Sequence, residues 1–116
     1  MGTLRTDESM KRYATFIEKG GLGDGCKLCE KESLRSFIHW RIVSNDFPYD
    51  KIASVHTMII PNRHVGEREL SSEERTEFEI IKDTYLHNTY EYIIEATYKK
   101  KTIPAHFHMH LIITKD

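Results

Sequence analysis

Near its C-terminus the chain reads Pro104-Ala105-His106-Phe107-His108-Met109-His110-Leu111-Ile112. Side chains alternate faces along a strand. In that conformation His106, His108 and His110 share one face, and Phe107, Met109 and Leu111 share the other. The apolar set belongs in a core. The polar set places three imidazoles in a row at about 6–7 Å intervals, and burying such rings requires a partner for each. The alternatives are a solvated face on an edge strand and a metal site built from the three histidines alone.

The rest of the pattern supplies a sheet for this strand. Asp7 to Lys19 is predicted as a short helix, with Met10, Tyr13, Phe16 and Ile17 at helical spacing and Gly20 as the stop. Ser36 to Ser44 is predicted as a strand, Ile38, Trp40 and Ile42 alternating with Phe37, His39, Arg41 and Val43. Residues 45–50, Asn-Asp-Phe-Pro-Tyr-Asp, are turn chemistry. Ser54 to Ile60 forms a second strand, ended by Pro61 and paired antiparallel with the first. Ser71-x-x-Glu74 fits a capping box, with Leu70 available as a hydrophobic staple. It opens a long helix whose inner stripe is Phe78, Ile81 and Tyr85, predicted to end near Asn88. Tyr92-Ile93-Ile94 then reads as a strand, Lys99-Lys100-Lys101 as a hairpin turn, and His106 to Ile113 as the last strand. The expected fold is α+β: a small antiparallel sheet with a long helix packed on one face. An N-terminal helix and Gly-rich lead-in occupy residues 1–25, and the domain proper occupies residues 26–116.

Composition narrows the function classes. The chain has 116 residues, room for one compact domain. Its 17 Lys+Arg against 18 Asp+Glu give a net charge of -1, so no basic field exists for dedicated nucleic-acid binding. No apolar run approaches the roughly 20 residues that cross a bilayer. The N-terminus has no apolar stretch of signal-peptide length. A cytoplasmic protein without membrane association is expected. Met1-Gly2-Thr3-Leu4-Arg5-Thr6 fits a loose myristoylation pattern, one that Met-Gly starts often meet by chance.

The two cysteines, Cys26 and Cys29, form a C-x-x-C behind a Gly-rich loop. Two thiolates at this spacing suit a tetrahedral metal, most often zinc, given two further ligands elsewhere. They also suit a redox dithiol, which normally sits at a helix N-terminus after a strand. The Gly-rich approach favours a metal knuckle, and two reduced bystander thiols are the plain alternative.

His106-x-His108-x-His110, with apolar residues between, resembles the signature of the histidine triad (HIT) superfamily of nucleotide hydrolases and transferases. A second block strengthens the likeness: Asn45-x-Phe47-Pro48-Tyr49, followed by His56-Thr57-Met58-Ile59-Ile60-Pro61-x-Arg63-His64. The helix near Ser71 also falls where the family has its long helix. The resemblance covers about Cys26 to Ile113 and leaves the N-terminal helix outside.

The resemblance implies a set of roles. His108 matches the nucleophile that attacks the α-phosphorus of a nucleotide and forms a covalent nucleotidyl-imidazole. His110 and His56 match positions for phosphate contact, proton handling and orientation of that nucleophile. Asn45 matches the asparagine that contacts the ribose. Apart from the resemblance, an aromatic near Phe47 or Tyr49 is a candidate for stacking on a base. Many bacterial members carry a structural zinc, which here would sit on Cys26, Cys29, His64 and His106, a closed set of two sulfurs and two nitrogens. Substrates would be purine nucleotides with a leaving group on the α-phosphate, such as dinucleoside polyphosphates or nucleoside phosphoramidates. A homodimer joining two sheets is implied as well.

The chain departs from the family pattern before the triad. Lys101-Thr102-Ile103-Pro104 stands where many members carry a Gly-Gln-Ser-like run of phosphate donors, and Thr102 supplies its one hydroxyl. Lys99-Lys100-Lys101 would either steer a polyphosphate by charge or form a solvated turn. The departure motivates an alternative reading, a catalytically weak or inactive nucleotide-binding or interaction module. A third reading has the triad holding a catalytic metal.

Overall fold

β-Branched and aromatic runs between turn residues fold into one antiparallel sheet. The structure, a computed structural model, describes residues 3–21, 25–101 and 103–116. The strands are β1 (Arg35–Ser36), β2 (Trp40–Ser44), β3 (Ala53–Pro61), β4 (Tyr92–Ile94) and β5 (Met109–Thr114). Their order across the sheet is β1-β2-β3-β5-β4, every pairing antiparallel. The helices are α1 (Asp7–Glu18), the single-turn α2 (Lys27–Glu30) and α3 (Ser72–Ile81). The expected α+β architecture is therefore present. Among the described residues no helix is long and apolar enough to cross a membrane.

Alternation divides the strands' side chains between two faces. Trp40, Ile42, Ile59, Phe107, Met109 and Leu111 pack with Ile81 and Leu86 of the helical segment. Val43, Met58 and Ile60 pack on the opposite face with Leu28 of α2. The second face also carries the histidines, so the helix that builds the larger core leaves the chemistry uncovered.

Two contacts fix α3. Ser71 accepts from Glu74 N at 3.1 Å, and the Glu74 carboxylate takes Ser71 N–H at 2.8 Å, which completes the capping box. Trp40 Nε1 donates to Glu74 O at 2.8 Å. Past Ile81 the helix loosens into a π turn over Lys82–Leu86 and closes with His87–Thr89. Ile81 and Leu86 are both buried and five residues apart. The i→i+5 turn sets them one above the other on the sheet, where an α-helical turn would rotate one away.

Three expectations need correction. Ser36 to Ser44 is not one strand. It is a tight hairpin in which Phe37 N bonds Trp40 O at 2.7 Å and Leu34 N bonds Ile42 O at 2.7 Å. The Glu77 carboxylate of α3 accepts from Ile38 N and His39 N and holds the turn. This long-range contact leaves no local periodicity, and Ile38 sits 80% exposed at the tip. The last strand begins at Met109 rather than His106. Ahead of it, Phe107 N bonds Val65 O, outside the β3 ladder. Finally, Lys99 to Lys101 does turn, with Lys100 N and Lys101 N both on Thr97 O, and it lies between the antiparallel neighbours β4 and β5, but in a long connection over residues 95–108 rather than a tight hairpin loop.

Glu74 is 2% exposed and pairs in fork geometry with Arg63, Nη2–Oε1 2.6 Å and Nε–Oε2 3.1 Å. Arg63 thus ties the loop after β3 to α3 and faces away from the cleft. The Arg63 hydrogen bonds, then the Ser71 contacts, lower the Glu74 carboxyl from 4.5 to about 2, against the desolvation that raises it. A lowered carboxyl favours the folded state above its unfolded pKa, and the gain disappears as pH falls toward the folded one. We predict that Glu74→Gln lowers unfolding free energy by about 1–3 kcal/mol at pH 7. The gap to wild type should begin closing below pH 4.5 and keep closing toward pH 2, measured by urea unfolding of Trp40 fluorescence.

Candidate active site and metal centre

Cys26 caps the short helix α2, and Cys29 lies within it. Arg41 of β2 fastens this knuckle to the sheet. Its guanidinium donates to the carbonyls of Leu28 at 2.7 Å and Cys29 at 3.3 Å, and to that of Lys31. His64 follows Pro61, where β3 ends, and His106 enters from the approach to β5. Cys26 Sγ and Cys29 Sγ lie 3.4 and 3.3 Å from His106 Nδ1, and Cys29 Sγ lies 3.3 Å from His64 Nδ1. The four ligand atoms fall within 4.8 Å of one another. A tetrahedron with metal–sulfur and metal–nitrogen bonds of ordinary length has S···N edges of about 3.6 Å.

The second nitrogen of His106 decides the fit. Nε2 lies 3.0 Å from Pro61 O, a pure acceptor, so Nε2 carries the hydrogen and Nδ1 presents its lone pair to the sulfurs. Partial desolvation, then the hydrogen bond and charge of Cys26, push the Cys29 thiol up. A bound cation would reverse that by pairing with the thiolates. Cys26, Cys29, His64 and His106 could therefore hold a metal ion. We predict about one tetrahedral metal per purified chain. Cys29→Ser should lose most of it, and chelation should lower Tm by about 10 °C or more.

On the same face of the sheet, past His106, an open cleft of about 750 Å³ including its mouth is lined by Arg5, Asn45, Tyr49, Lys100, His108 and His110, with Phe47 in its wall. His108 is 6% exposed, His110 5% and His56 8%. Burial lowers all three below the usual imidazole range, His56 to about 4 and His110 to about 3, the charge of Arg5 adding to both. The rings are neutral at pH 7, and each has one hydrogen to place and one lone pair to offer.

The backbone assigns the hydrogens. His108 Nδ1 lies 3.0 Å from His106 O, an acceptor, so Nδ1 carries the hydrogen and Nε2 keeps its lone pair. Tyr49 N–H donates to His56 Nδ1 at 2.9 Å, which leaves the hydrogen of His56 on Nε2. That Nε2 lies 2.8 Å from His110 Nδ1, which must accept, so His110 carries its hydrogen on Nε2. Asn45 Oδ1 accepts from Phe47 N at 2.8 Å and fixes the amide. Asn45 lines the cleft, and its Nδ2 lies 3.2 Å from His56 Nε2, whose hydrogen serves His110.

The structure brings His56, His108, His110, Asn45 and Phe47 to one cleft or its back wall, and Cys26, Cys29, His64 and His106 to one cluster. Thr102 lies outside the described residues, as do Met1, Gly2 and part of the Gly-rich lead-in at residues 22–24. Phe47 is not a bare platform, since Tyr13 and Phe16 of α1 pack on it at ring distances of 5.1 and 4.9 Å. Lys101 Nζ is also engaged, 3.7 Å from Glu67 and over the rings of Tyr98 and Phe107. Lys100 lines the cleft without such an ion pair among the described residues.

Sequence pattern alone did not single out Arg5 or Arg41 for these places, and it offered Tyr49 only as a candidate for stacking on a base. Thr6 caps α1 and, with Ser9, donates to Asp50, which docks the N-terminal segment onto the loop at residues 45–50. This carries Arg5 into the cleft, its Nε donating to Phe47 O at 2.8 Å. The local hint read from the sequence was the helical stripe holding Tyr13 and Phe16.

No protein-family model matches the chain, and no curated protein matches it.

Proposed function

We propose that this chain is a HIT-like nucleotide hydrolase or nucleotidyl transferase with His108 as its nucleophile. One observation carries the reading: a buried, neutral imidazole whose Nδ1 hydrogen is committed to His106 O, so that Nε2 keeps its lone pair beside an open cleft. An imidazole in that state is a competent nucleophile at neutral pH.

In the proposed reaction, His108 Nε2 attacks the α-phosphorus of a nucleotide. The bond to the leaving group breaks, and the leaving group departs with the electron pair, taking a proton from solvent where its basicity demands one. The nucleotidyl-imidazole bears positive charge on the ring, which the Nδ1–H···O=C bond to His106 disperses. Water then attacks phosphorus, the P–N bond breaks, and a nucleoside monophosphate leaves with His108 neutral again. An acceptor alcohol in place of water would make the same chemistry a transfer. The Asn45 amide is the donor proposed for the ribose, and His110 and His56 are proposed to orient the site and handle its protons. Purine nucleotides, including dinucleoside polyphosphates and phosphoramidates, are the proposed substrates, and a homodimer is the proposed assembly.

The metal in this reading is zinc, since two thiolates and two imidazoles are its usual structural donors. When bound it supplies cross-linking rather than catalysis, because all four positions are filled by protein. His106 joins the two sites: its ring faces the cysteines while its carbonyl holds the nucleophile.

One observation favours the second reading, a binding module without turnover. The described residues just before the triad, Ile103, Pro104 and Ala105, bring no polar side chain to a phosphate. Turnover decides between them. We expect wild type to release nucleoside monophosphate from a panel of adenosine and guanosine phosphoramidates and dinucleoside polyphosphates, and His108→Ala to lose about 10³-fold or more of kcat/KM. Silence from folded, metal-loaded wild type across the panel would favour the binding module.

A further inference from the structure

Tyr49 closes a ring of hydrogen bonds with His56 and His110. Its backbone N–H donates to His56 Nδ1 at 2.9 Å. His56 Nε2–H then serves His110 Nδ1 at 2.8 Å. His110 Nε2 lies 3.2 Å from the Tyr49 hydroxyl oxygen. Because His110 must carry its hydrogen on Nε2, the phenol oxygen accepts that bond, and its own O–H is left over. The opposite assignment would put a hydrogen on His56 Nδ1, facing the Tyr49 N–H donor at 2.9 Å. A fixed peptide donor therefore sets the direction of every bond in the ring.

The leftover hydrogen has a place to go. Tyr49 lines the cleft beside His108 and His110. Its ring packs 4.6 Å from that of His56 and 4.8 Å from that of His110, so the phenol is held rather than swinging. The Arg5 guanidinium lies 5.0 Å from the Tyr49 ring centroid and brings positive charge to the same wall. Burial raises the phenol further above neutrality and keeps it a donor. The short segment before His106 brings a proline and an alanine where donors to an anion would be useful.

From this geometry we infer that the Tyr49 hydroxyl donates to the phosphoryl group of a bound nucleotide. Tyr49 thereby supplies a side-chain phosphate donor, which residues 103–105 lack. The inference rests on the nucleotide-site reading above and adds a residue to it.

Two measurements test it. Nitrogen-15 NMR of the imidazoles should find His56 and His110 both protonated on Nε2, in wild type and in Tyr49→Phe, which keeps the backbone donor. A hydrogen on His110 Nδ1 in either protein overturns the inference. In wild type the phenol would then be spent on His110, and in the variant the loss would belong to His110. Calorimetry should show Tyr49→Phe binding adenosine and guanosine monophosphates about 5–10-fold more weakly, with affinity for the matching nucleosides changed less than about twofold. Equal weakening of nucleotide and nucleoside would assign Tyr49 a packing role and overturn the inference, as would no weakening. Wild type that binds neither nucleotide overturns the nucleotide-site reading itself, a different result from intact binding that ignores the hydroxyl.

Discussion

A buried imidazole at neutral pH has one hydrogen and one lone pair, and each must meet a partner inside the protein or an opening to solvent. That constraint organises this molecule. Four histidines are buried, and each sits against a backbone group or another ring. Pro61 O and His106 O accept from His106 and His108, and the Tyr49 N–H fills His56 Nδ1. Peptide groups do not change protonation, so they set the tautomers of all four rings. The result is a face of the sheet on which lone pairs point at two destinations, the Cys26–Cys29 knuckle and the open cleft.

The sheet makes this possible by separating tasks. Alternation sends Phe107, Met109 and Leu111 into the helix-covered core, which locks the backbone that carries His106, His108 and His110. Close packing resists the ångström-scale shifts that would misalign a nucleophile. His106 belongs to both sites, and a metal cross-link there would hold the carbonyl that orients His108. The ion pair between Arg63 and Glu74 performs a related task, tying the loop that bears His64 to the start of α3. The N-terminal segment adds a third wall through Arg5, Tyr13 and Phe16.

Local patterns in the sequence carry much of this. The alternation around the triad was legible because every second residue is apolar. The capping box at Ser71 and Glu74 marked the start of α3. The β2–β3 pairing and the strand at Tyr92–Ile94 followed from β-branched and aromatic runs. What could not be read depends on contacts far apart in the chain. Glu77 breaks the first strand into a hairpin from 38 residues away. Val65 draws Phe107 out of the β-ladder, so β5 starts three residues late. Cys26 and Cys29 were legible as a metal knuckle from their spacing and His64 and His106 only as a resemblance, while the convergence of the four is a property of the fold. Tyr49 was legible only as an aromatic that could stack on a base, because the part proposed for it lies in a backbone N–H and a hydroxyl that meet the histidines only after folding.

The central claim is that His108 Nε2 is the atom that bonds to phosphorus. The most direct measurement is the intact mass of the protein after rapid mixing with a nucleoside phosphoramidate or dinucleoside polyphosphate and quenching under conditions that preserve phosphorus–nitrogen bonds. The account predicts a mass gain of one nucleoside monophosphate unit that maps to His108 and decays as product appears. Product formed with no adduct at any time, or an adduct that maps to His110 or His56, would contradict it.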